Sequence, residues 1–242
     1  MASIAPFAIA IGLFVTTQLS IAQDEPAQGL VEVFPHVRVD RAAGVVEFDA
    51  YVPMVIDDPE QVVFLETIVC TRNSKEHETL VATDARPSNI HAALLLIGAE
   101  PGEPGSWELG EDDAIIHIPP KGPEIEVEFV WTDEQGVEHR DDPASWIVSD
   151  DTGKPLPPHR WIFAGSRVVE WTPPGRDEPV EAYDADYSGT LIGLATFGTE
   201  TLAWPVVVSP DSTVDEPVWI VDAGKAPVVD APVVVRLKIA GE

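Results

Sequence analysis

Residues 68–98, IVCTRNSKEHETLVATDARPSNIHAALLLIG, carry the strongest structural signals in this chain. They continue an apolar run, residues 62–70, whose hydrophobic side chains fall on both faces, as is typical of a strand covered on both sides. Residues 80–82 can pair beside that strand, with residues 71–78 as the connecting turn. We therefore expect the centre of a sheet in this stretch.

The second half of the stretch predicts the main helix, over about residues 88–98. The Ser88 hydroxyl can accept a hydrogen bond from a free amide at the helix start, and Gly98 stands where a left-handed residue commonly ends a helix. Residues 92–97 are all apolar, which predicts a helix buried nearly all round. On this interpretation Leu95→Asp would unfold the protein.

Period-two alternation of apolar and polar residues predicts further strands on both sides of this stretch. Asp142 followed by Pro143 predicts a short second helix over about residues 143–147. The fold class is therefore α+β, a β-rich single domain with the main helix laid on a mixed or antiparallel sheet. The predicted strands are 31–39 with a break at Pro35, 46–52, 115–118, 125–131 with a hairpin return through 137–140, 190–196, 204–208, 218–221 and 233–239.

The start of the chain predicts a signal peptide over residues 1–22. Residues 5–22 contain no charged side chain, and Ser20-Ile21-Ala22 has the small-x-small pattern of a cleavage site. Residues 23–30 form a polar, disordered lead-in, and the domain occupies residues 31–240. No later apolar segment is long enough to span a bilayer, so we expect a periplasmic or extracellular protein.

Charge and cysteine content exclude several classes of function. The formal net charge is −28, which repels nucleic acid phosphates and anionic lipid surfaces. One cysteine permits neither an intramolecular disulfide nor a cysteine-ligated iron–sulfur cluster within one chain. We expect no organic cofactor, which leaves a divalent cation as the cofactor that these side chains could hold.

The opening stretch also gathers reactive side chains, namely Cys70, His77, Glu78 and His91. If they converge, the two histidines could bind a divalent metal, or a base could activate Cys70 as a nucleophile. The structural alternative is a buried thiol, a solvated turn at residues 75–78 and a His91 that bonds a loop carbonyl. The spacing matches no established metal or triad signature, so both interpretations stay open.

Two weaker patterns suggest other sites. Asp184 and Asp186, followed by Gly189, match the first half of a calcium loop, but Ala195 stands where a bidentate Glu belongs. A turn rich in Asp, Ser and Gly explains the same residues. The tryptophans of the middle region could form a carbohydrate platform, although Trp131 and Trp161 occupy inward positions typical of a core. These tryptophans are Trp107, Trp131, Trp146, Trp161 and Trp171.

Several motifs resemble the YdjY-type domain, which many exported planctomycete proteins carry, over about residues 31–239. The resemblance implies an exported domain with no firmly assigned activity. An iron–sulfur label given to one relative does not transfer, because this chain lacks the cysteines. The matching motifs are KEHE at 75–78, RPSNIHAALLLIG at 86–98, PG at 101–102, WTD at 131–133, WI at 146–147, TGKP at 152–155, WIFAGS at 161–166 and DYSG at 186–189.

Three functional hypotheses follow from the sequence. The first is a non-catalytic binding or structural module of the envelope, with an envelope protein or a polysaccharide as its partner. The second is a metal- or thiol-dependent hydrolase with its site around Cys70, His77, Glu78 and His91. The third is a cation-binding acidic protein that uses its carboxylates. The arrangement of the four reactive side chains in space separates the second hypothesis from the first.

Overall fold

The computed structural model describes residues 29–54, 62–111, 114–173 and 175–241. The predicted signal peptide, residues 1–22, and residues 23–28 of the lead-in lie outside the described residues. Within the described ranges, no helix is both long enough and apolar enough to cross a bilayer.

Short strands dominate the described part of the chain, with helices between them. The strands are β1 (Val31–Phe34), β2 (Val37–Asp40), β3 (Val45–Tyr51), β4 (Thr67–Thr71), β5 (Thr79–Thr83), β6 (Ser106–Leu109), β7 (Ile115–Ile118), β8 (Glu124–Thr132), β9 (Glu138–Asp141), β10 (Ile147–Ser149), β11 (Trp161–Ile162), β12 (Val168–Trp171), β13 (Val180–Tyr183), β14 (Thr190–Gly193), β15 (Leu202–Ala203), β16 (Trp219–Val221) and β17 (Pro232–Ile239). The α-helices are α1 (Pro87–Leu96) and α2 (Ala185–Ser188), and the 3-10 helices are Glu76–Glu78 and Pro143–Trp146.

One sheet of eleven strands organises the molecule, in the order β1-β2-β3-β17-β8-β11-β15-β14-β4-β5, with β9 beside β8. Tyr51 of β3 also pairs with Ala82 of β5, so the sheet closes on itself. Most pairs are antiparallel, whereas β4–β5 and β14–β15 are parallel. The β-rich α+β class with a mixed sheet is therefore confirmed.

The strand β17 is inserted between β3 and β8 and carries a cation between two acidic neighbours. In the strand register Arg236 lies opposite Glu47 on β3 and Glu128 on β8. Its guanidinium donates to Glu47 at 2.6 Å and to Glu128 at 3.1 Å. Because Glu47 is only 6 % exposed, this cross-strand ion pair supplies the charge partner that a buried carboxylate needs.

The strands β4 and β5 pair as expected, but they run parallel. A simple connecting turn joins antiparallel strands and cannot make this connection. Thr67 lies opposite Thr79, and Cys70 lies opposite Ala82. The chain must therefore return along the whole length of β4 before β5 begins, and residues 72–78 make that return. The strand β4 lies between β14 and β5, in the central position that its apolar residues predicted.

Helix α1 starts differently from the sequence prediction. It begins at Pro87, after an extended Arg86, and Ser88 does not act as its cap. Instead the Ser88 backbone N–H and hydroxyl both donate to the Asp186 carboxylate, at 2.8 and 2.7 Å. A carboxylate nearly a hundred residues away in the chain thus satisfies a free amide of the first turn.

The end of α1 agrees with the prediction. Gly98 adopts a left-handed φ of 92°. Its N–H donates to the Leu95 carbonyl at 3.0 Å, and the Ala99 N–H donates to the Leu94 carbonyl at 3.1 Å. This is the Schellman pattern, in which a left-handed glycine lets the last free carbonyls find donors.

The prediction that α1 is buried nearly all round is wrong. Ile90, Ala93 and Leu94 are fully buried, but 47 % of Leu95 is exposed. The buried positions recur at helical spacing on one face, which packs on β2 and β3. Leu95 lies off that face and is the exposed residue of α1, whereas Ala92 and Leu96 are half-buried. The unbroken apolar run therefore does not report burial on all sides.

Other local predictions fail for identifiable reasons. Residues 204–208 form no strand, because Pro205 lacks the N–H that a strand ladder requires, and the pairing is made by β15 instead. The turn expected at Asp184–Gly189 is a single turn of helix, α2, which a left-handed Gly189 ends. The short second helix expected at about 143–147 is, by contrast, confirmed: it is the 3-10 helix Pro143–Trp146, with Pro143 at its start and the Asp142 carboxylate as its cap.

The two neighbouring leucines of α1 give a direct test of the one-sided packing. We expect Leu94→Ala to lower the free energy of unfolding by about 2–5 kcal/mol, because it opens a cavity in the core. Leu95→Asp should leave the protein folded, with a loss of about 1 kcal/mol from helix propensity and the helix dipole. Urea unfolding monitored by circular dichroism measures both, and an unfolded Leu95→Asp protein would contradict the packing described.

Candidate functional site

Cys70 lies in the core and shows none of the features of a reactive thiol. The residue is 0 % exposed and stands on β4 between β5 and β14. Burial raises the pKa of its thiol, and this effect outweighs hydrogen bonds from Ser74, Lys75 and Thr79. Because the thiolate is the nucleophilic form, a raised pKa and lack of access both suppress reactivity.

His77 and Glu78 lie together on the 3-10 helix at the end of the return segment, but they face different surroundings. The His77 side chain is 78 % exposed, and its Nε2 lies 3.6 Å from a Glu78 oxygen. The Glu78 side chain is only 17 % exposed and also accepts from the Lys75 ammonium at 2.8 Å. His77 therefore points to solvent, whereas Glu78 belongs to a partly buried ionic group.

His91 belongs to a different polar network, on helix α1. Its Nδ1 lies 3.0 Å from the Tyr183 hydroxyl, which donates to the Gly165 carbonyl at 3.0 Å. The ring also packs edge-on against Phe163 and Tyr183. Burial lowers the pKa of the imidazole. The Tyr183 hydroxyl also lies 3.1 Å from the Thr201 hydroxyl, so it joins His91, Gly165 and Thr201 in one network.

The weak calcium candidates are occupied by basic and hydroxyl partners. Asp186 is bonded to Ser88 and to the Arg86 guanidinium at 2.7 Å, and Asp184 accepts from Arg167 at 2.7 Å. Throughout the part of the chain that the structure describes, no three His, Cys, Asp or Glu side chains converge as a metal-binding group. The four residues of the predicted reactive centre thus lie in separate environments.

The structure offers a different candidate, a cleft of about 400 Å³ that we call the tryptophan cleft. One wall comes from residues 64–66 together with Glu78, and a second from residues 194–195 and Trp204. Residues from the stretch 208–219, ending at Trp219, form the rest. Its volume is within the range of small-molecule sites, and its lining mixes apolar and acidic side chains.

The acidic wall of the tryptophan cleft follows from the β4–β5 register. Glu66 immediately precedes β4 and Glu78 immediately precedes β5, so parallel pairing sets the two residues side by side. The Lys75 ammonium lies between them, 3.1 Å from Glu66 and 2.8 Å from Glu78. Burial raises the pKa of Glu66, an effect that Lys75 opposes and Glu78 reinforces.

The aromatic wall consists of two perpendicular indoles. The rings of Trp204 and Trp219 meet edge to face, with centroids 6.3 Å apart and planes at 87°. Trp219 begins β16, and its carbonyl accepts from the Leu65 N–H at 2.8 Å. Trp204 follows β15, and its N–H donates to the Gly193 carbonyl at 3.1 Å. Backbone bonds therefore fix Trp219 to the segment just before β4 and Trp204 to β14, the strand beside β4.

The stretch 208–219 forms the third wall of the cleft, and hydrogen bonds within the stretch hold its conformation. The Asp215 carboxylate accepts from the Ser209 N–H at 2.6 Å, and the Asp211 carboxylate accepts from the Thr213 N–H at 2.9 Å. Asp215 and Glu216 both line the cleft. The loop thus brings two further carboxylates to the cleft in a locally bonded conformation.

The sequence prediction missed most of this site. Glu78 was a candidate for another reason. The predicted tryptophan platform is not a surface, because Trp146 and Trp161 are each 1 % exposed and Trp146 packs edge-on against Trp131. Trp107, 48 % exposed, lies on the separate β6–β7 hairpin. Nothing in the local sequence links Trp204 with Glu66. A predicted parallel register for β4 and β5 would have placed Glu66 beside Glu78.

Comparison with known proteins supports the resemblance noted from the motifs. A family model described as the YdjY domain matches residues 37–238. Neither the curated proteins nor the solved structures give a match to this chain.

The cross-chain cap of α1 should be measurable. We expect Asp186→Ala to lower the free energy of unfolding by about 2 kcal/mol, because the amide and hydroxyl of Ser88 lose their acceptor. Urea unfolding gives this value, and Glu134→Ala on an exposed turn is the control, expected to change stability by less than about 0.5 kcal/mol. Equal stability of the two variants would show that the cap does not support the helix.

The environment of Cys70 predicts an inert thiol. We expect the native protein not to react with Ellman's reagent on the timescale of an exposed cysteine, and to react fully once guanidinium chloride unfolds it. Gln135→Cys in a Cys70→Ala background supplies the exposed reference. Native labelling of Cys70 at the rate of that reference would contradict its placement in the core.

Proposed function

The chain belongs to the YdjY domain family, and we propose that this member is an exported, non-catalytic binding module of the cell envelope. The observation that carries the proposal is the tryptophan cleft, with its two perpendicular indoles and its acidic wall. Concave sites with apolar walls and a few fixed polar groups are the usual form of small-molecule sites.

The positions of the reactive side chains favour binding over hydrolysis. A nucleophile and its base must lie within hydrogen-bond reach of each other. Here the Cys70 thiol is buried, His77 points to solvent, and His91 bonds Tyr183. The hydrolase around Cys70, His77, Glu78 and His91 therefore stays a hypothesis without a shared site to support it.

The paired carboxylates also fit binding better than glycoside hydrolysis. Hydrolysis of a sugar requires two carboxyl groups at least about 5 Å apart, with the scissile bond between them. Glu66 and Glu78 instead both bond the Lys75 ammonium, at 3.1 and 2.8 Å, so each is engaged in a structural ion pair. Fixed in this way, the two carboxylates provide charge and shape rather than a separate acid and base.

Export is the second part of the proposal and rests on the sequence. The uncharged segment 5–22 with its small-x-small end supports a cleaved signal peptide. A net charge of −28 suits a protein in salty surroundings outside the cytoplasm. In the periplasm or outside the cell, the source of the ligand would be an envelope protein, an envelope polysaccharide or a solute.

A ligand screen tests the binding proposal. Saturation-transfer NMR with a mixed library of neutral sugars, amines and carboxylates should give signals that Trp204→Ala and Trp219→Ala abolish. Trp107→Ala is the matched control and should keep them, because Trp107 is exposed on a separate hairpin. Circular dichroism confirms that each variant is folded. A library with no signal that depends on Trp204 or Trp219 would overturn the proposal.

A further inference from the structure

The charge of the tryptophan cleft selects the sign of its ligand. Glu66, Glu78, Asp215 and Glu216 line it, and none of its described lining residues is Lys or Arg. Lys75, bonded to two of these carboxylates, is the cation held at its edge. Four carboxylates facing one ammonium leave a negative field in a cleft with low-dielectric walls, which concentrates cations.

The aromatic corner selects a cation with an apolar surface. Trp204 and Trp219 both line the cleft with their indoles at 87° to each other, and we call this pair the aromatic corner. Tryptophan is the aromatic side chain that attracts a cation most strongly, and an aromatic corner is how proteins recognise methylated ammonium groups. Phe64, bridged to Ile220 beside Trp219, adds a third aromatic side chain to the lining.

Two basic side chains lie near the site, His159 beside the corner and Lys75 at the cleft edge. His159 packs against Trp204 with ring centroids 5.7 Å apart, and its Nδ1 lies 2.8 Å from the Pro157 carbonyl. Burial lowers the pKa of this imidazole, which favours its neutral form. The Lys75 ammonium lies over the Phe197 ring at 4.3 Å, on a side chain outside the cleft lining.

The carboxylates are held in a way that disfavours a metal ion or a primary amine. Glu66 and Glu78 are fixed by Lys75, and Asp215 is fixed by the Ser209 amide. A primary ammonium needs acceptors for three N–H groups, and Ca²⁺ needs six or more oxygen ligands, waters included. A quaternary ammonium donates no hydrogen bond and requires only the field and the aromatic surface.

We infer that the tryptophan cleft binds a quaternary ammonium group, with its methyls packed on Trp204 and Trp219 and its charge facing the carboxylate wall. This inference rests on the proposed function, because it names the ligand class of the same cleft. It also makes the cation-binding hypothesis more specific. The cation is organic, and both the carboxylates and the aromatic side chains of the cleft contribute to its recognition.

A matched pair of probes tests the inference. Choline and 3,3-dimethyl-1-butanol have the same shape, but only choline carries the charge. By isothermal titration calorimetry we expect choline to bind at least about tenfold more tightly than the neutral isostere. Equal affinity for the two would show an apolar pocket that does not recognise charge, and would overturn the inference.

Variants separate the aromatic and acidic contributions. Trp204→Leu and Trp219→Leu keep an apolar side chain but remove the indole. Each should therefore lower the affinity for choline at least about fivefold. Trp204→Phe keeps an aromatic face and should recover part of that loss. Glu216→Gln should lower the affinity for choline about threefold at low salt, and high salt should remove this difference. The control Glu134→Gln, at an exposed position, should leave the affinity for choline unchanged. Choline affinity unaffected by all of the cleft variants would overturn the inference.

The remaining outcomes separate this inference from the proposed function. If library sugars bind through Trp204 and Trp219 while choline does not, the quaternary ammonium inference falls and the binding module stands. If no library compound depends on the two tryptophans and choline does not bind, both fall. Pelleting with phosphatidylcholine vesicles, compared with free choline, shows whether the group is presented on a lipid headgroup or on a solute.

Discussion

The parallel pairing of β4 with β5 is the constraint on which the candidate site depends. Thr67 lies opposite Thr79 in the parallel pair. The residues just before the two strands, Glu66 and Glu78, are therefore neighbours. A parallel pair also obliges the chain to travel back along β4, and the short return carries Lys75 to the place where the two carboxylates meet. An antiparallel hairpin of the same residues would separate these charges.

Burial and pairing together explain why this group of charges persists at the cleft edge. Burial works against the charged form of Lys75. The bonds of Lys75 to Glu78 and Glu66 outweigh the effect of burial and raise the pKa of the ammonium. The lysine therefore stays charged and holds the carboxylates in place. The wall remains acidic because Asp215 and Glu216 arrive from another part of the chain without a basic partner among the described lining residues.

Features set by neighbours in sequence could be predicted, and features set by distant segments could not. Gly98 ends α1 because a left-handed residue is a local requirement, and the alternation in β8 reports its buried face directly. Ser88 looked like a cap because the sequence does not show that Asp186 would reach the same amide. The candidate site combines Glu66, Trp204 and segments far along the chain, so no local pattern could reveal it.

The central place of β17 determines the order in which the fold can be completed. This strand follows every other strand of the sheet in the chain, yet it lies between β3 and β8 and bonds to both. Until it is synthesised, β3 and β8 have no partner on that side, and the Glu47 carboxylate lacks Arg236. A nascent chain therefore cannot close this sheet until β17 has been made, so the pairing of β3 and β8 depends on contacts between segments far apart in the sequence.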